Sequence, residues 1–208
     1  MTTTYERDAY GNVIATRVSA FSEMPRTSRK EFDVLGRFVT AEINPLGHRI
    51  ERTYGDTGTQ ISTTNSNGLT TKFEYDAFGR LVKESSPTGA VATTSFLQVS
   101  EVPDATAATS GLPTAVYALR SQTSGTAPAF KILDSKGRIL RTIADGYTSD
   151  PSVARPIQRD IKYDGLGRTT GTTLPYERGK PIFWASAQYD VLGRVTEAAA
   201  PNNATTKT

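Results

Sequence analysis

The clearest alternation of apolar and polar residues precedes a short turn-like sequence. In TKFEYDAFGRLVKE, Phe73 and Tyr75 fall on one side of the alternation, and Lys72 and Glu74 fall on the other. A period of two is typical of a half-buried β-strand, and aromatic and β-branched residues favour strands. The segments that lead into similar turns further along the chain read QRDIKYD and FWASAQYD. The pattern therefore predicts strands on both sides of each turn.

The turn has the form Asp-x-x-Gly-Arg and recurs along the chain. Asp at the first position accepts hydrogen bonds from backbone N–H groups just downstream, and Gly at the fourth supplies a positive φ. We expect a type I turn closed by a glycine bulge, which connects the strands of a hairpin. Alignment on the turn glycine predicts repeats centred near Gly11, Gly36, Gly47, Gly79, Gly137, Gly167 and Gly193. The predicted structural turn residues are Asp33, Gly36, Arg37, Asp76, Gly79, Arg80, Asp134, Gly137, Arg138, Asp164, Gly167, Arg168, Asp190, Gly193 and Arg194.

The aromatic residue before each Asp and the Arg after each Gly lie on opposite sides of a short loop. We expect them to come close to facing each other across the hairpin, with the guanidinium over the ring. The Asp carboxylate of the same or a neighbouring turn is an alternative partner for the Arg. A single hairpin is marginally stable in water, so hairpins in series are expected to pair edge to edge. The predicted fold class is all-β, with consecutive antiparallel β-hairpins that form a curved, spiralling sheet.

One stretch, residues 86–129, departs from this pattern. It is rich in Ser, Thr, Ala, Gly and Pro. We predict strands over 93–100 and 114–122, and a loop over 101–113. Helix signals are nearly absent from the chain. We interpret 86–129 as a diverged or insert-bearing unit of one repeat array over 1–208, in preference to a linker between domains.

Composition and charge exclude several classes of function. Apolar residues make up 37% of the chain, which is typical of a structure with much surface for its volume. Lys and Arg number 24 against 21 Asp and Glu, a net charge of +3 that is too small and too scattered for nucleic-acid binding. The chain has no Cys, no long apolar run for a membrane span and no signal-peptide pattern at its start. Since repeats lie close to both ends, we expect a segment of a longer array.

Candidate catalytic and binding residues are few. His48 is the only histidine, and it follows a turn glycine in the slot that other repeats give to Arg. The repeated Asp residues have local roles in their turns, and DGLGR has no helix after it, so we predict no catalytic, metal or cofactor site. The densest aromatic patch consists of Tyr176, Phe183 and Trp184. We favour a place for it in the core of the sheet, and a ligand platform is the alternative.

The repeated turns resemble those of the RHS/YD-repeat family. The segments concerned are YDAFGRLVKE, YDGLGRTT, YDVLGRVTEAAAP and FDVLGRFVTAEINPLGHRI. The family includes bacterial RHS polymorphic toxins, the B and C components of Tc insecticidal toxins, and the teneurin shell. Its hairpins wind into a hollow shell that encloses a cytotoxic domain. The resemblance covers most of the chain and is weakest from about 86 to 129.

The resemblance implies a structural, non-catalytic function as a wall segment of an encapsulating shell. The implied partners are the rest of the shell and an enclosed toxin domain, and the implied location is secreted or delivered by a bacterial toxin system. A carbohydrate- or cell-surface-binding module built from the same repeats is the alternative, with glycans as partners. RHS toxins end their shell in a self-cleaving DPxGL junction. The nearest match, Asn44-Pro45-Leu46-Gly47-His48, has Asn in place of Asp and lies inside the array, so no autoprotease residue is implied.

Overall fold

The computed structural model describes residues 1–21, 24–146, 155–201 and 205–207. The chain divides into two compact units, here called unit 1 (Met1–Ala92) and unit 2 (Thr93–Thr208). The division falls inside the segment 86–129, where the repeat pattern of the sequence is weakest.

Unit 1 is a series of short strands joined by tight turns. Its strands are β1 (Thr2–Arg7), β2 (Val13–Ser19), β3 (Arg26–Phe32), β4 (Val39–Ile43), β5 (Arg49–Tyr54), β6 (Gln60–Thr64), β7 (Thr70–Tyr75) and β8 (Leu81–Ser85), and β9 (Val91–Gln98) begins at its end. From β1 to β8, each strand pairs antiparallel with the next one along the chain. Successive turns therefore lie at opposite ends of the strands, and every second turn lies at the same end.

Cross-strand pairs take the place of a hydrophobic core in unit 1. Among its described residues, Ala41 is the only buried hydrophobic residue. Arg49 donates to the two carboxylate oxygens of Glu31 at 2.6 and 2.8 Å, and the Thr64 and Thr70 hydroxyls pair at 2.8 Å. Opposite charges and paired hydroxyls across neighbouring strands stabilise an exposed sheet. The described part of unit 1 is thus a sheet without a second packed layer.

Unit 2 continues the antiparallel pattern with more irregular connections. Its elements after β9 are a 3₁₀ turn (Val99–Glu101), α1 (Ala105–Thr109), β10 (Ala115–Thr123), β11 (Ala129–Asp134), β12 (Ile139–Asp145), β13 (Pro156–Tyr163), β14 (Thr169–Thr173), β15 (Tyr176–Glu177), β16 (Trp184–Tyr189), β17 (Val195–Ala199) and β18 (Thr205–Lys207). The first half of β13 pairs with β15 and its second half with β14. All pairings recorded between β10 and β18 are antiparallel.

A small hydrophobic core distinguishes unit 2. Its buried members are Val102, Ala108, Ala118, Phe130, Ile132 and Ile143. Ala108 lies on α1, so the prediction of a loop over 101–113 is wrong across Ala105–Thr109. The segment ATAAT is too short to form a helix in water on its own, and its burial stabilises the helical turn. The strands predicted over 93–100 and 114–122 correspond to β9 and β10.

The predicted fold class is confirmed, since the chain is all-β apart from short helical turns and is built from consecutive antiparallel hairpins. In the described part of the chain, no helix has the length and apolar character needed to cross a bilayer.

Candidate functional site: the joints between repeats

Each Asp-x-x-Gly-Arg turn is held together by its own aspartate. In the turn 164–168, Asp164 Oδ1 accepts from the backbone N–H groups of Leu166 at 3.0 Å and Arg168 at 2.9 Å. Asp164 Oδ2 accepts from Arg168 Nε at 2.6 Å, and the Gly167 N–H donates to the Asp164 carbonyl oxygen at 3.0 Å. The same bonds hold the turns that begin at Asp76, Asp134 and Asp190. The carboxylate therefore closes the loop and fixes the position of the guanidinium.

The turn glycines adopt a backbone conformation that other residues reach only with strain. The φ angle is +75° at Gly79 and +84° at Gly193, and no atom lies within 4 Å of the place a β-carbon would occupy at Gly79. The cost of a side chain there is therefore conformational rather than steric. We expect Gly79→Val and Gly193→Val each to lower the free energy of unfolding by about 1–3 kcal/mol in urea denaturation.

Gly165→Val is the matched control for these variants. Gly165 lies at the second position of its turn, outside the left-handed region and in open space. Val34 and Val191 occupy the same position in two other turns, so valine fits there. Unchanged unfolding midpoints in the Gly79 and Gly193 variants, or an equal loss in Gly165→Val, would contradict this account of the turn.

In unit 2, the arginine of one turn also contacts the next turn at the same end of the strands. Arg138 Nη1 donates to the carbonyl oxygen of Asp164 at 3.4 Å, and its guanidinium carbon lies 4.8 Å from the ring centroid of Tyr163. We call this set, the arginine of one turn with the tyrosine and aspartate of the next, a joint. A joint combines an ionic turn with a cation–π contact between repeats.

The second joint of unit 2 repeats this geometry closely. Arg168 Nη1 donates to the carbonyl oxygen of Asp190 at 3.0 Å, and its guanidinium carbon lies 4.7 Å from the ring centroid of Tyr189. Both rings belong to the following repeat, so the expected contact across a single hairpin is wrong at these joints. The reason is that each Arg turns its Nε edge to its own Asp, which directs Nη1 and the guanidinium face towards the neighbouring turn.

In unit 1, other residue types make the contact between neighbouring turns at the same end of the strands. Asn12, in the slot that follows a turn glycine, donates from Nδ2 to the carbonyl oxygen of Gly36 at 2.8 Å. The ring of Tyr10 covers the same glycine so closely that a β-carbon there would lie 2.6 Å from it. In contrast to unit 2, Arg37 lies over Phe38, its own neighbour in the chain, at 5.2 Å. Different residue types therefore make the contact between turns in the two units.

A tyrosine hydroxyl bond between repeats occurs in both units. In each case the tyrosine directly before a turn donates its hydroxyl to a backbone carbonyl oxygen. That carbonyl lies just after the previous turn at the same end of the strands. The distances are 2.9 Å from Tyr54 to Val39, 2.9 Å from Tyr75 to Gln60, 3.1 Å from Tyr163 to Ile139 and 2.8 Å from Tyr189 to Thr169. These bonds couple one hairpin to the next, because donor and acceptor belong to different repeats.

Removal of one such hydroxyl should weaken the coupling without disturbing the turn. We expect Tyr189→Phe to lower the free energy of unfolding by about 0.5–1.5 kcal/mol, because the carbonyl of Thr169 loses its bond at 2.8 Å. Urea denaturation measures the change. Tyr5→Phe is the control, since Tyr5 is 61% exposed on β1, and an equal loss in both variants would contradict the role of the hydroxyl bond.

Hydrogen bonds within the turns lower the pKa of the turn carboxylates. Hydrogen bonds from the Arg168 guanidinium and the backbone hold the pKa of Asp164 below its usual value, and Arg80 does the same to the pKa of Asp76. Backbone and guanidinium hydrogen bonds from Arg194 lower the pKa of Asp190. A pKa that is lowered in the folded state means that this state binds fewer protons than the unfolded one. The resulting stability is complete above the unfolded pKa of about 3.9 and is lost as the pH falls through the folded pKa.

We therefore expect urea midpoints to fall as the pH drops below about 4, in proportion to the number of turn carboxylates. The double variant Asp164→Asn with Asp190→Asn should show a flatter pH dependence. Asn fits this position, because Asn44 Oδ1 accepts from the N–H groups of Leu46 at 2.9 Å and His48 at 3.0 Å. An identical pH dependence in the double variant would contradict the role of the carboxylates.

Comparison with known families supports an assignment for part of the chain. The RHS repeat family model matches residues 56–91, which contain the turn 76–80 and its tyrosine. The match shows an RHS repeat in residues 56–91. This agrees with the resemblance seen in the repeated turns of the sequence.

Solved structures similar to this chain are Tc toxin assemblies. The Tc holotoxin pore of Photorhabdus luminescens is 13% identical with a TM-score of 0.48, over 99% of this chain and 13% of that one. A structure of TcdB2–TccC3 is 14% identical with a TM-score of 0.46, over 99% of this chain and 14% of that one. The chain thus spans only a small part of the length of these proteins. A comparison with curated protein sequences gives no match.

Several turns of the chain were missed by sequence reasoning. Further turns close at Gly58, Gly68 and Gly89, each with a positive φ. Between residues 33 and 90, turn glycines follow one another in steps of 10 or 11 residues. The signals are present as GDTG, NSNG and SPTG, which have a small or polar first residue and no Arg after the glycine. The division into repeats centred on the seven turn glycines from Gly11 to Gly193 stays a prediction.

A buried polar network in unit 2 was also missed. Arg141 donates to the two carboxylate oxygens of Asp160 at 2.6 and 2.7 Å, and to the carbonyl oxygen of Ala108 on α1 at 3.0 Å. The Tyr176 hydroxyl donates to Asp160 at 2.9 Å, and burial together with this hydrogen bond raises the pKa of Tyr176 to about 12. The network fixes α1 against β12, β13 and β15. The sequence carries no signal for it, because Asp160 shares a face of the alternating strand with Gln158 and Lys162.

The three residues of the predicted aromatic patch have different environments. Tyr176 is buried at 8% exposure, which removes its ring from any surface, whereas Phe183 is 54% exposed. Trp184 is half-buried, with Lys162 Nζ 4.0 Å from its ring centroid and Gly171 against its ring. A ligand platform that includes Phe183 and Trp184 stays a prediction.

His48 occupies a turn in the structure. Its ring is exposed, and Nδ1 lies 3.2 Å from the Asn44 amide nitrogen of the same turn. Across the described ranges, no group of three or more metal-ligating side chains comes together.

Proposed function

We propose that this chain is a wall segment of an RHS-repeat shell that encloses a toxin or effector domain. The observation that carries the proposal is the joint, in which Arg168 and Tyr189 bond one repeat to the next. Such bonds between repeats add to the backbone pairing and resist gaps between hairpins. The match to the RHS repeat family over residues 56–91 supports the same function.

The character of unit 1 also supports a wall. Its described part is a sheet without a packed second layer, and its strand residues form ion pairs and hydroxyl pairs at the surface. A sheet of this kind suits a barrier one layer thick with solvent on either side. The proposed role is structural and non-catalytic. The proposed partners are the rest of the shell and its enclosed domain, and the proposed location is secreted or delivered by a bacterial toxin system.

The test is limited proteolysis of the natural protein that contains these 208 residues. We expect an enclosed domain to be protected, and to become sensitive when the joint is broken by Arg168→Ala with Tyr189→Phe. Circular dichroism of the variant verifies that strands remain. A domain that is digested equally fast in both proteins, or a natural protein with no enclosed domain, would contradict the proposal. Arg17→Ala, on a strand rather than at a joint, is the control for loss of a cation.

Glycan binding is the alternative function, and it has a separate test. The exposed ring of Phe183 beside Trp184 is the feature that such binding would use. Glycan-array binding that is lost in Trp184→Ala would support this function. Absence of glycan binding by the unchanged protein would contradict this alternative function.

A further inference from the structure

Arg194 is held by its own turn in the same way as the arginines of the two joints. Its Nε donates to Asp190 Oδ2 at 2.7 Å, and Arg138 and Arg168 make the same bond to their own aspartates at 2.7 and 2.6 Å. This bond restricts the guanidinium to one orientation, so little side-chain freedom is lost when a partner binds. The directions of Nη1 and of the guanidinium face are thus fixed by the turn itself.

The guanidinium of Arg194 is nevertheless the most exposed of the three. The side chain of Arg194 is 74% exposed, whereas those of Arg138 and Arg168 are each 28% exposed beneath the rings of Tyr163 and Tyr189. Among the described residues, no aromatic ring lies over Arg194, and its side-chain hydrogen bonds stay within its own turn. Arg194 therefore forms one half of a joint.

Strand register shows how the two complete joints bring their partners together. The pairing of β12 with β13, extended by three residues, places Arg138 opposite Tyr163. The pairing of β14 with β16, also extended by three residues, places Arg168 opposite Tyr189. In both joints the next residue is the aspartate that begins the following turn. Register thus pairs the arginine after one turn with the residue that precedes the next turn at the same end of the strands.

The same rule applies to the pairing of β17 with β18. Glu197 lies opposite Lys207, so extension of this pairing by three residues places position 210 of the natural protein opposite Arg194. We infer that Arg194 is an interaction surface for a further Asp-x-x-Gly turn, with an aromatic residue at position 210, Asp at 211 and Gly at 214. The inference rests on the proposed wall function, in which repeats continue beyond these 208 residues.

The chemistry of Arg194 favours this partner over the alternatives. A guanidinium is attracted to the face of an aromatic ring, whereas a cation placed directly opposite it would be repelled. The Asp190 carboxylate already balances the charge of Arg194, which favours a neutral ring over a free anion. Nη1 can also donate to the carbonyl oxygen of the residue after the ring, as Arg168 Nη1 does to Asp190 at 3.0 Å.

The test is amide hydrogen exchange of the natural protein and of its Arg194→Ala variant. We expect residues 209–211 to exchange about two- to tenfold faster in the variant, because it lacks one cation–π contact and one hydrogen bond. Replacement of the ring at position 210 by alanine should have a similar effect. The two changes together should have no larger effect than either one alone, since both remove the same contact.

Arg159→Ala is the control for loss of an exposed cation, since Arg159 lies on the outward side of β13. It should leave exchange at 209–211 unchanged. Faster exchange confined to residues 190–194 in Arg194→Ala would show that Arg194 acts only within its own turn, and would overturn the inference. A natural protein without an aromatic-Asp pair at positions 210 and 211 would also overturn it.

The outcomes of this test and of the proteolysis test of the wall can be told apart. A protected domain together with unchanged exchange at 209–211 in Arg194→Ala would contradict the contact of Arg194 alone. An unprotected domain together with faster exchange at 209–211 would contradict the wall alone.

Discussion

Arg141→Met should lower the free energy of unfolding of unit 2 by about 3–5 kcal/mol, the largest effect we expect from a single substitution. Arg141 and Asp160 are both 5% exposed and are joined by two hydrogen bonds of 2.6 and 2.7 Å. Loss of the guanidinium leaves a buried carboxylate with the Tyr176 hydroxyl as its remaining side-chain donor. It also removes the donor to the carbonyl of Ala108, so α1 should separate from the strands.

Urea denaturation and hydrogen exchange of residues 105–109 measure this result. The double variant Arg141→Met with Asp160→Leu should recover most of the lost stability, because an apolar pair replaces both buried charges. Arg159→Met is the matched control, since Arg159 precedes Asp160 on the outward side of β13 and is exposed. A loss in Arg159→Met as large as that in Arg141→Met would contradict the assignment to the buried pair.

Ile132→Ala should lower the free energy of unfolding by about 2–5 kcal/mol. Ile132 is fully buried on β11 and packs in the core with Phe130 and Ile143. The substitution loses the free energy gained when the removed carbon atoms are transferred out of water. It also leaves a cavity that the strands cannot fill without moving. Urea denaturation at neutral pH measures the loss.

Ile61→Ala in unit 1 makes the same chemical change at a site that is 42% exposed. We expect it to cost only about 0.5 kcal/mol, since unit 1 has no packed layer over β6. Equal losses for the two isoleucines would contradict the difference in packing between the units.

The turns were the part of the candidate site that sequence could predict. Asp164 and Gly167 lie three positions apart within one short loop, and their bonds depend on local backbone geometry. The partners of the arginines could not be predicted in the same way. Arg138 meets Tyr163, 25 residues further on, and that contact depends on how β12 pairs with β13.

The local elements could be predicted from the sequence: short alternating strands, Asp-x-x-Gly turns and the absence of long helices. These follow from the preferences of single residues and of neighbours in the chain. The other features depend on how the strands pack together. This packing placed Arg138 and Arg168 over the tyrosines of the next repeat, stabilised α1 at Ala108 and buried Arg141 with Asp160. The physical reason is that these contacts join residues distant in sequence, whose approach is set by strand register and by burial rather than by local preference.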